Sequence, residues 1–479
     1  MDGPPRGTDF LQLDATGVPR RTLGGWLTGR LRAAVLDGTL APGDALPAAR
    51  TLAGDLGVSR GVVVGAYQRL AEEGLLLARV GSGTRVAAAH RPPGPGAPGP
   101  APEPAPAGAP FPVGSRPRRA VELDLWPGLP DLSAFPRAAW LRAERRALAT
   151  AAAADLGYGD PRGHPRLRAE LAGWLARTRG VRVHPDALLV TSGVAQALAL
   201  LAQVLRARGH AAVAVEDPGS AGARGQLAHW GLAPVGVGVD ADGLDVAQLR
   251  AAAADVAVVT PAHQFPTGVV LSPARRRELL AWAADGPDRL VVEDDYDAEH
   301  RYDRAPVPAL QASAPERVAH TGSTSKTLAP GLRLGWLAAP AHLRADLLAA
   351  RHAGDIAGPV LPQLALADLL ATGQLQAHLR RVRLRQRARR DALLAGLREH
   401  VPGARVQGVP AGLHLLLALP AGAEDAEVAD ALLRRGVAVA PLGLHRLRPG
   451  PPGLVLGYAA TGPDRLREAA RRIGEVLRG

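Results

Sequence analysis

A single lysine, Lys326, stands in the stretch "TGSTSKTLAPGLRLGW" from Thr321 to Trp336. Lysine and arginine together number 57, so every other member of the pair is arginine. Arginine keeps its proton at any physiological pH, whereas a lysine in a suitable pocket can lose one and become a nucleophile. The chain is rich in Ala, Gly, Pro and Arg and contains no asparagine, a composition that fits a GC-rich genome. In such a genome lysine drifts to arginine wherever a salt bridge is all that is needed. The survival of one amine therefore points to chemistry that a guanidinium cannot perform, the plain alternative being a surface lysine left by chance.

The neighbours favour chemistry. "GSTS" before Lys326 is a small, hydroxyl-rich turn whose hydroxyls and backbone N–H groups suit a phosphate. Arg333, seven residues on, can add a charge-assisted contact. An amine beside a phosphate cradle suggests an imine to a phosphorylated aldehyde, pyridoxal 5'-phosphate (PLP). Asp294 and Tyr296 in "VVEDDYDAEHRY" are two apart, so on a strand they face the same way. A carboxylate opposite a pyridine nitrogen keeps that nitrogen protonated, and a phenol beside it could bond the ring oxygen. Asp295 and Asp297 should then face the other way, which counts against an acidic metal site; no metal is expected. "TSGVAQAL" runs from a strand through Thr191, Ser192 and Gly193 into a helix, offering N–H groups to an anion. "PAHQFPTG" places His263 and Gln264 before a rigid turn, where a satisfied loop histidine is the plain reading.

The elements that position these residues are strands ending in polar loops. "DALLVTSG", "AAVAVEDPG", "VAVVTPAHQ", "RLVVEDDYD" and "RVAHTGSTSK" are each a short apolar run of that kind. The pattern predicts an α/β domain with a mostly parallel sheet and ligands at the carboxyl ends of its strands. A chain of 479 residues can hold two or three domains. Hydrophobic residues make up 47%, charged residues 21%, and cysteine is absent. That composition leaves no disulfides, thiolate catalysis or Cys-based metal sites. The first residues lack a basic start followed by an apolar run, and the Ala/Leu stretches are interrupted by Arg, so a cytoplasmic location is expected. The net charge of +12 permits an anionic partner but does not identify one.

His90 to Ala120 is dense in Pro, Gly and Ala and reads as a semi-rigid linker over 89–121, between an N-terminal module at 20–88 and a large module at 122–479. In the small module, Trp26, Leu27, Leu31, Ala34 and Val35 have helical spacing, with Gly38 as a stop. A second short helix ends at Gly57. Ser59 is a good N-cap for a third, Arg60 to Glu73, with Val63, Ala66, Tyr67 and Leu70 on one apolar face. "LLLARVGSGTRVA" reads as strand, glycine turn, strand. Together these make a winged helix-turn-helix whose third helix would enter a DNA major groove, while Arg79, Ser82, Thr84 and Arg85 of the wing follow the backbone or minor groove.

Two motif sets then carry a resemblance. "LPAAR", "LGVSR", "AYQRL" and "GSGT" resemble, in order and spacing, the GntR family of bacterial transcription regulators. "YGDPRGHPRLRAELAGWL", "TSGVAQAL", "EDPG", "HQFPTG", "EDDYDAEHRY" and "GSTSKTLAPGLRLGW" resemble fold-type I PLP enzymes of the aspartate aminotransferase class. Joined, they resemble the MocR subfamily of GntR regulators. The resemblance implies a PLP-dependent transferase fold with a smaller C-terminal α+β subdomain. It implies that Lys326 forms the internal aldimine, that Asp294 pairs with the pyridine nitrogen, and that Tyr296 bonds the ring oxygen. Ser192, Gly193, Ser323 and Arg333 would hold the phosphate, with Tyr158 a further candidate for it or for the partner subunit's site. In the DNA-binding module Arg50, Ser59 and Arg60 would contact DNA and Gly83 would shape the wing. The usual paired serines are Ala48 and Ala49 here, and Val62 replaces a hydroxyl residue. A domain-swapped homodimer acting on an operator is implied.

Two departures bear on function. Ser220 stands where relatives carry an aromatic that stacks on the cofactor, leaving His263 or Phe265 to sandwich the ring. Gly222 takes the place of an arginine that reads a substrate carboxylate in a GABA-responsive relative; Arg224, Arg446 and Arg448 are alternative cations. The expected function is a PLP-dependent regulator that senses PLP or an amino compound through imine chemistry at Lys326, with transamination slow or absent. An active aminotransferase carrying a DNA-binding head is the alternative, and a regulator with a dead pocket a third reading.

Overall fold

The computed structural model describes residues 13–79, 83–87, 121–303 and 307–478. Nearly all of the expected linker, and Ser82 of the wing, lie outside the described residues. The chain divides into two compact units, Met1–Pro106 and Ala107–Gly479. Among the described residues no helix is long and apolar enough to cross a membrane.

The first unit is a winged helix. Helix Leu23–Leu36 buries Leu27, Leu31, Ala34 and Val35, one stripe at helical spacing. It stops before Gly38, whose φ of +86° is a conformation that glycine adopts without a Cβ penalty. Helices Ala49–Asp55 and Arg60–Glu72 follow, then antiparallel strands Leu76–Arg79 and Gly83–Val86, with Ala45–Leu46 on the far side of the latter. Val63, Ala66 and Leu70 are fully buried against the other two helices, and the Tyr67 hydroxyl donates to Pro47 O at 2.9 Å. Ser59 holds the N-cap position of the third helix, but its hydroxyl accepts no bond from the helix. The Val62 N–H, which a capping hydroxyl would take, bonds to the Ser59 carbonyl at 3.0 Å instead.

The second unit is built on an eight-stranded sheet. Its order is Leu188–Thr191, Gly335–Ala338, Val318–Ser323, Leu290–Asp295, Val256–Val259, Ala212–Asp217, Ala233–Asp240 and Gly243–Leu244. Gly335–Ala338 runs antiparallel to both neighbours, and the short edge strand Gly243–Leu244 is antiparallel to its own. The other pairings are parallel. Alternation puts a core on each face. Val213, Val215, Val256, Val258, Leu290 and Val292 pack with helix Val194–Ala207, while Ala214, Ala257, Val259 and Val291 pack with Leu279 and Trp282 of helix Pro273–Ala284. Covered on both faces, these strands read as continuous apolar runs, and their carboxyl ends are where polarity begins.

A smaller antiparallel sheet, ordered Arg405–Gln407, His414–Ala418, Gly453–Gly457 and Ala440–Pro441, forms the C-terminal subdomain. Leu415, Leu417, Leu454 and Leu456 pack on Leu466 and Ile473 of helix Pro463–Arg478 and on Leu393 and Leu397 of the 27-residue helix Gln374–His400. The opposite face of strand His414–Ala418 points His414 toward the large sheet's polar end.

Candidate functional site

A cavity of about 460 Å³ opens at the carboxyl ends of the parallel strands. Lys326 lines it, and its Nζ donates to the Gly128 carbonyl. Burial lowers the pKa of this amine, with Asp297 and Asp294 opposing the shift. Burial thus favours the neutral, nucleophilic form. The backbone at Lys326 is held by His300, whose Nε2 lies 3.1 Å from the Lys326 carbonyl. Burial brings His300 down to about 4, so the ring stays neutral and can donate.

Asp294 also lines the cavity. Burial, reinforced by the charges of Asp295 and Asp297, pushes it up to about 7. Its Oδ1 is buried and has no hydrogen-bond partner. A buried, unsatisfied carboxylate oxygen facing a cavity calls for a cationic or N–H donor. Strand alternation sends Asp295 to the opposite face as expected. There it meets Arg179 Nε at 2.6 Å and His320 Nε2 at 3.0 Å. Burial opposes ionisation of Asp295, but those partners outweigh it and hold the carboxyl well below its usual range. Asp297 departs from expectation. The strand ends at Asp295, so alternation no longer governs Asp297, which is buried beside His263 at 2.9 Å and bears on Lys326.

The far end of the cavity suits an anion. Arg333 has a φ of +50° and lines the cavity, donating to the Ser192 carbonyl. Gly193 (φ +93°) precedes helix Val194–Ala207, and a Cβ there would come within 3.3 Å of the Arg333 guanidinium. Among the described residues the N–H groups of Gly193, Val194 and Ala195 have no acceptor. Ser323 and Ser325 line the same end. An amine, a buried unpaired carboxylate oxygen and an anion cradle match the aldehyde, pyridine nitrogen and phosphate of PLP. The residues present fit that group.

Other expected positions fall differently. His263 does not line the cavity: it is 2% exposed, and its Nδ1 is taken up by Asp297 at 2.9 Å and lies 3.2 Å from the Tyr296 hydroxyl. Phe265 and His414 form the aromatic wall instead, their ring centroids 4.9 Å apart. Tyr158 is 83% exposed and outside the cavity of its own chain. Ser220 lines the cavity, and its hydroxyl caps helix Ala221–His229 by accepting from the Ala223 N–H at 3.2 Å. Arg224 donates to the carbonyls of Gly219, Leu444 and His445, Arg446 to Pro451 O, and Arg448 to Asp217. None of the three lines the cavity, where among the described residues Lys326 and Arg333 are the cations. His263, Asp297 and His414 could offer atoms to one ion within 4.8 Å, but the mutual bond of the first two accounts for them without one.

Sequence reasoning missed Gly128, Asp297 and His414. Only His414 left a local signal, a histidine opening the apolar run "HLLLA". In the first unit Arg50, Ser59 and Arg60 are exposed, and Gly83 (φ +81°) begins the strand after the wing tip.

Comparisons with known proteins agree with both units. Residues 129–473 match the family of class I and II aminotransferases, and residues 27–86 match the bacterial regulatory proteins of the gntR family. Over nearly its whole length the chain is similar to the probable rhizopine catabolism regulatory protein MocR of Rhizobium meliloti, 33% identical over 449 residues, 92% of this chain and 90% of that protein. It is likewise similar to the HTH-type pyridoxine biosynthesis transcriptional regulator PdxR of Corynebacterium glutamicum, 34% identical over 471 residues and 97% of each chain. Among solved structures, the kynurenine aminotransferase of Pyrococcus horikoshii superposes with a TM-score of 0.69 at 27% identity, covering 74% of this chain and 90% of that one. A gntR-type winged helix and an aminotransferase fold with a site shaped for PLP define a PLP-dependent transcriptional regulator. The chain belongs to the MocR-type regulators of the GntR family.

Proposed function

We propose that this regulator reports the occupancy of its PLP site at Lys326 to the DNA-binding unit, with PLP itself as the primary effector. PLP, when bound, supplies an aldehyde carbon and an electron-withdrawing ring. In this reading Lys326 presents the amine, and Asp294 holds a proton on the ring nitrogen. Tyr296 meets the ring oxygen, and Arg333, Ser192, Gly193 and Ser323 bind the phosphate. Arg50, Ser59 and Arg60 contact the operator, with Gly83 at the wing. The active form is a homodimer in which the chains exchange winged helices, supported by the family resemblance and by the length of the Pro-rich segment 90–120.

The observation that carries the effector reading is the charge inventory of the cavity. Both lining cations, Lys326 and Arg333, are assigned to PLP, and the three arginines that could read an effector carboxylate are bonded elsewhere. With no further cation lining the cavity among the described residues, a bound α-amino acid would bury its carboxylate unpaired, which costs heavily. Ser220 adds no stacking surface. Repeated turnover needs a bound amino acid and a released keto acid, so transamination should be slow or absent. The relatives that span the whole chain are regulators by name. The test is to mix the PLP-loaded chain with a panel of amino acids and amines, following visible absorbance and keto-acid product. Multiple turnovers at rates usual for enzymes, about 1–1000 per second, would overturn the reading in favour of an aminotransferase.

A further inference from the structure

We propose that Asp297 and His263 form a positioning pair that aims the Tyr296 hydroxyl at the ring oxygen of PLP. The proposal rests on PLP being bound at Lys326. Its starting point is that a phenol has one proton to give. The Tyr296 hydroxyl lies 3.2 Å from His263 Nδ1 and 3.1 Å from the His263 carbonyl oxygen, and Tyr296 lines the cavity. Left neutral with a bare Nδ1, His263 would compete for that proton. Asp297 prevents this. Its Oδ2 is 2.9 Å from Nδ1, both side chains are buried, and a carboxylate only accepts. The proton is therefore fixed on Nδ1, which donates to Asp297 and leans its N–H toward the phenol oxygen. With Nδ1 unable to accept, the Tyr296 proton goes to the His263 carbonyl at 3.1 Å, and turning it to the ring oxygen gives up that single bond.

The packing holds the pair in place. Gly412 has a φ of +74°, and a Cβ there would lie 2.0 Å from His263 Cε1 and 2.8 Å from Asp297 Oδ2. The groups facing the pair are Asp294, Glu216 and Lys326 from the strand ends, Glu299, His300 and Tyr302 from the segment after Asp297, and His414 and Tyr458 from the C-terminal sheet. Burial keeps the two histidines neutral and the two tyrosines protonated, so none of these four changes charge near neutral pH.

A hydrogen bond given to the ring oxygen draws electron density from the linking nitrogen on Lys326 and lowers the pH at which that nitrogen loses its proton. Removing the Asp297 charge has two opposed effects. Acting directly on the nitrogen, the loss of a nearby anion lowers that pH. Acting through Tyr296, Asp297→Asn lets Nδ1 take the phenol proton, and the pH rises. The sign separates the two.

The experiment is a pH titration of the visible band of the full-length, PLP-loaded protein, for wild type, Asp297→Asn, Tyr296→Phe and the double variant, with His263→Gln as a second route should Asp297→Asn fail to fold. The midpoint is expected to rise by about one unit in each single variant. Asp297→Asn should add little on the Tyr296→Phe background. A midpoint that falls, or an Asp297→Asn shift of full size without the phenol, overturns the pairing. A wild-type protein with no visible band would contradict the PLP assignment at Lys326 and not the pairing itself.

Discussion

Lys326 sits in a buried site with two carboxylates bearing on its charge, and that setting decides what substitutions should do. Lys326→Ala removes the amine. Lys326→Arg keeps the charge but not the nucleophile, so both variants should lack the visible band of bound PLP. A wild-type spectrum in either would remove Lys326 from the reaction. Asp294→Asn keeps the shape of the site but weakens its claim on a protonated ring nitrogen. PLP affinity is expected to fall about tenfold or more, the loss of one charge-assisted hydrogen bond, measured by titrating the apo-protein. Legibility at this scale followed geometry. Asp294 could be placed because strand alternation holds up to Asp295, and Tyr296, one residue past the strand end, still reaches the cavity beside it. Asp297 could not be placed because the strand stops before it. His263 misled because its imidazole is spent on Asp297, a partner that no local spacing announces. His414 enters from a separate subdomain, so only the fold brings it to the cavity.

At the scale of elements, the third helix of the winged unit divides cleanly into a buried and an exposed face. Leu70 is fully buried, and Leu70→Ala should cost about 2–5 kcal/mol of stability in that unit. Ser59 is the opposite case. Its hydroxyl makes no cap bond, so Ser59→Ala should leave thermal stability nearly unchanged, without the loss of about 1 kcal/mol usual for a cap. A fall in operator binding by the same variant would then report a DNA contact. Arg60→Ala should cost about 1–3 kcal/mol of binding and relax specificity at one base if the side chain reads a base edge. If it meets phosphate only, gel shifts will show a uniform loss and a smaller salt slope. The boundaries of these helices were readable from apolar spacing and from Gly38 and Gly57. The missing cap at Ser59 was not, since it turns on which carbonyl receives the Val62 N–H. The parallel strands of the large unit were equally plain, because burial on both faces leaves unbroken apolar runs.

For the whole molecule, buried acids set a pH dependence. Burial raises Glu216 and Asp294 from ordinary values of 4.5 and 3.8 to about 7. An acid whose folded pKa is raised favours the folded state most below its unfolded value. That contribution is lost as pH rises through the folded one. The apo-protein should therefore lose thermal stability between about pH 4 and 7, by about 1–3 kcal/mol per group. PLP should flatten part of this loss by giving Asp294 a cationic partner, and Glu216→Gln should remove another part. A melting point that rises across the same window in the apo-protein would contradict the burial of both acids.

PLP occupancy at Lys326 is proposed as the signal delivered to DNA. A ligand can shift an equilibrium only by its differential affinity for the two states, so the signal needs two DNA-binding states with unequal PLP affinity. The measurement is a titration of the full-length apo-protein with PLP in the presence of a duplex selected from random-sequence DNA for binding to it, following the visible band and DNA affinity together. The two are expected to change with a common midpoint, and Lys326→Ala is expected to bind DNA with an affinity PLP does not alter. DNA affinity that stays constant while the wild-type band saturates would contradict the proposal.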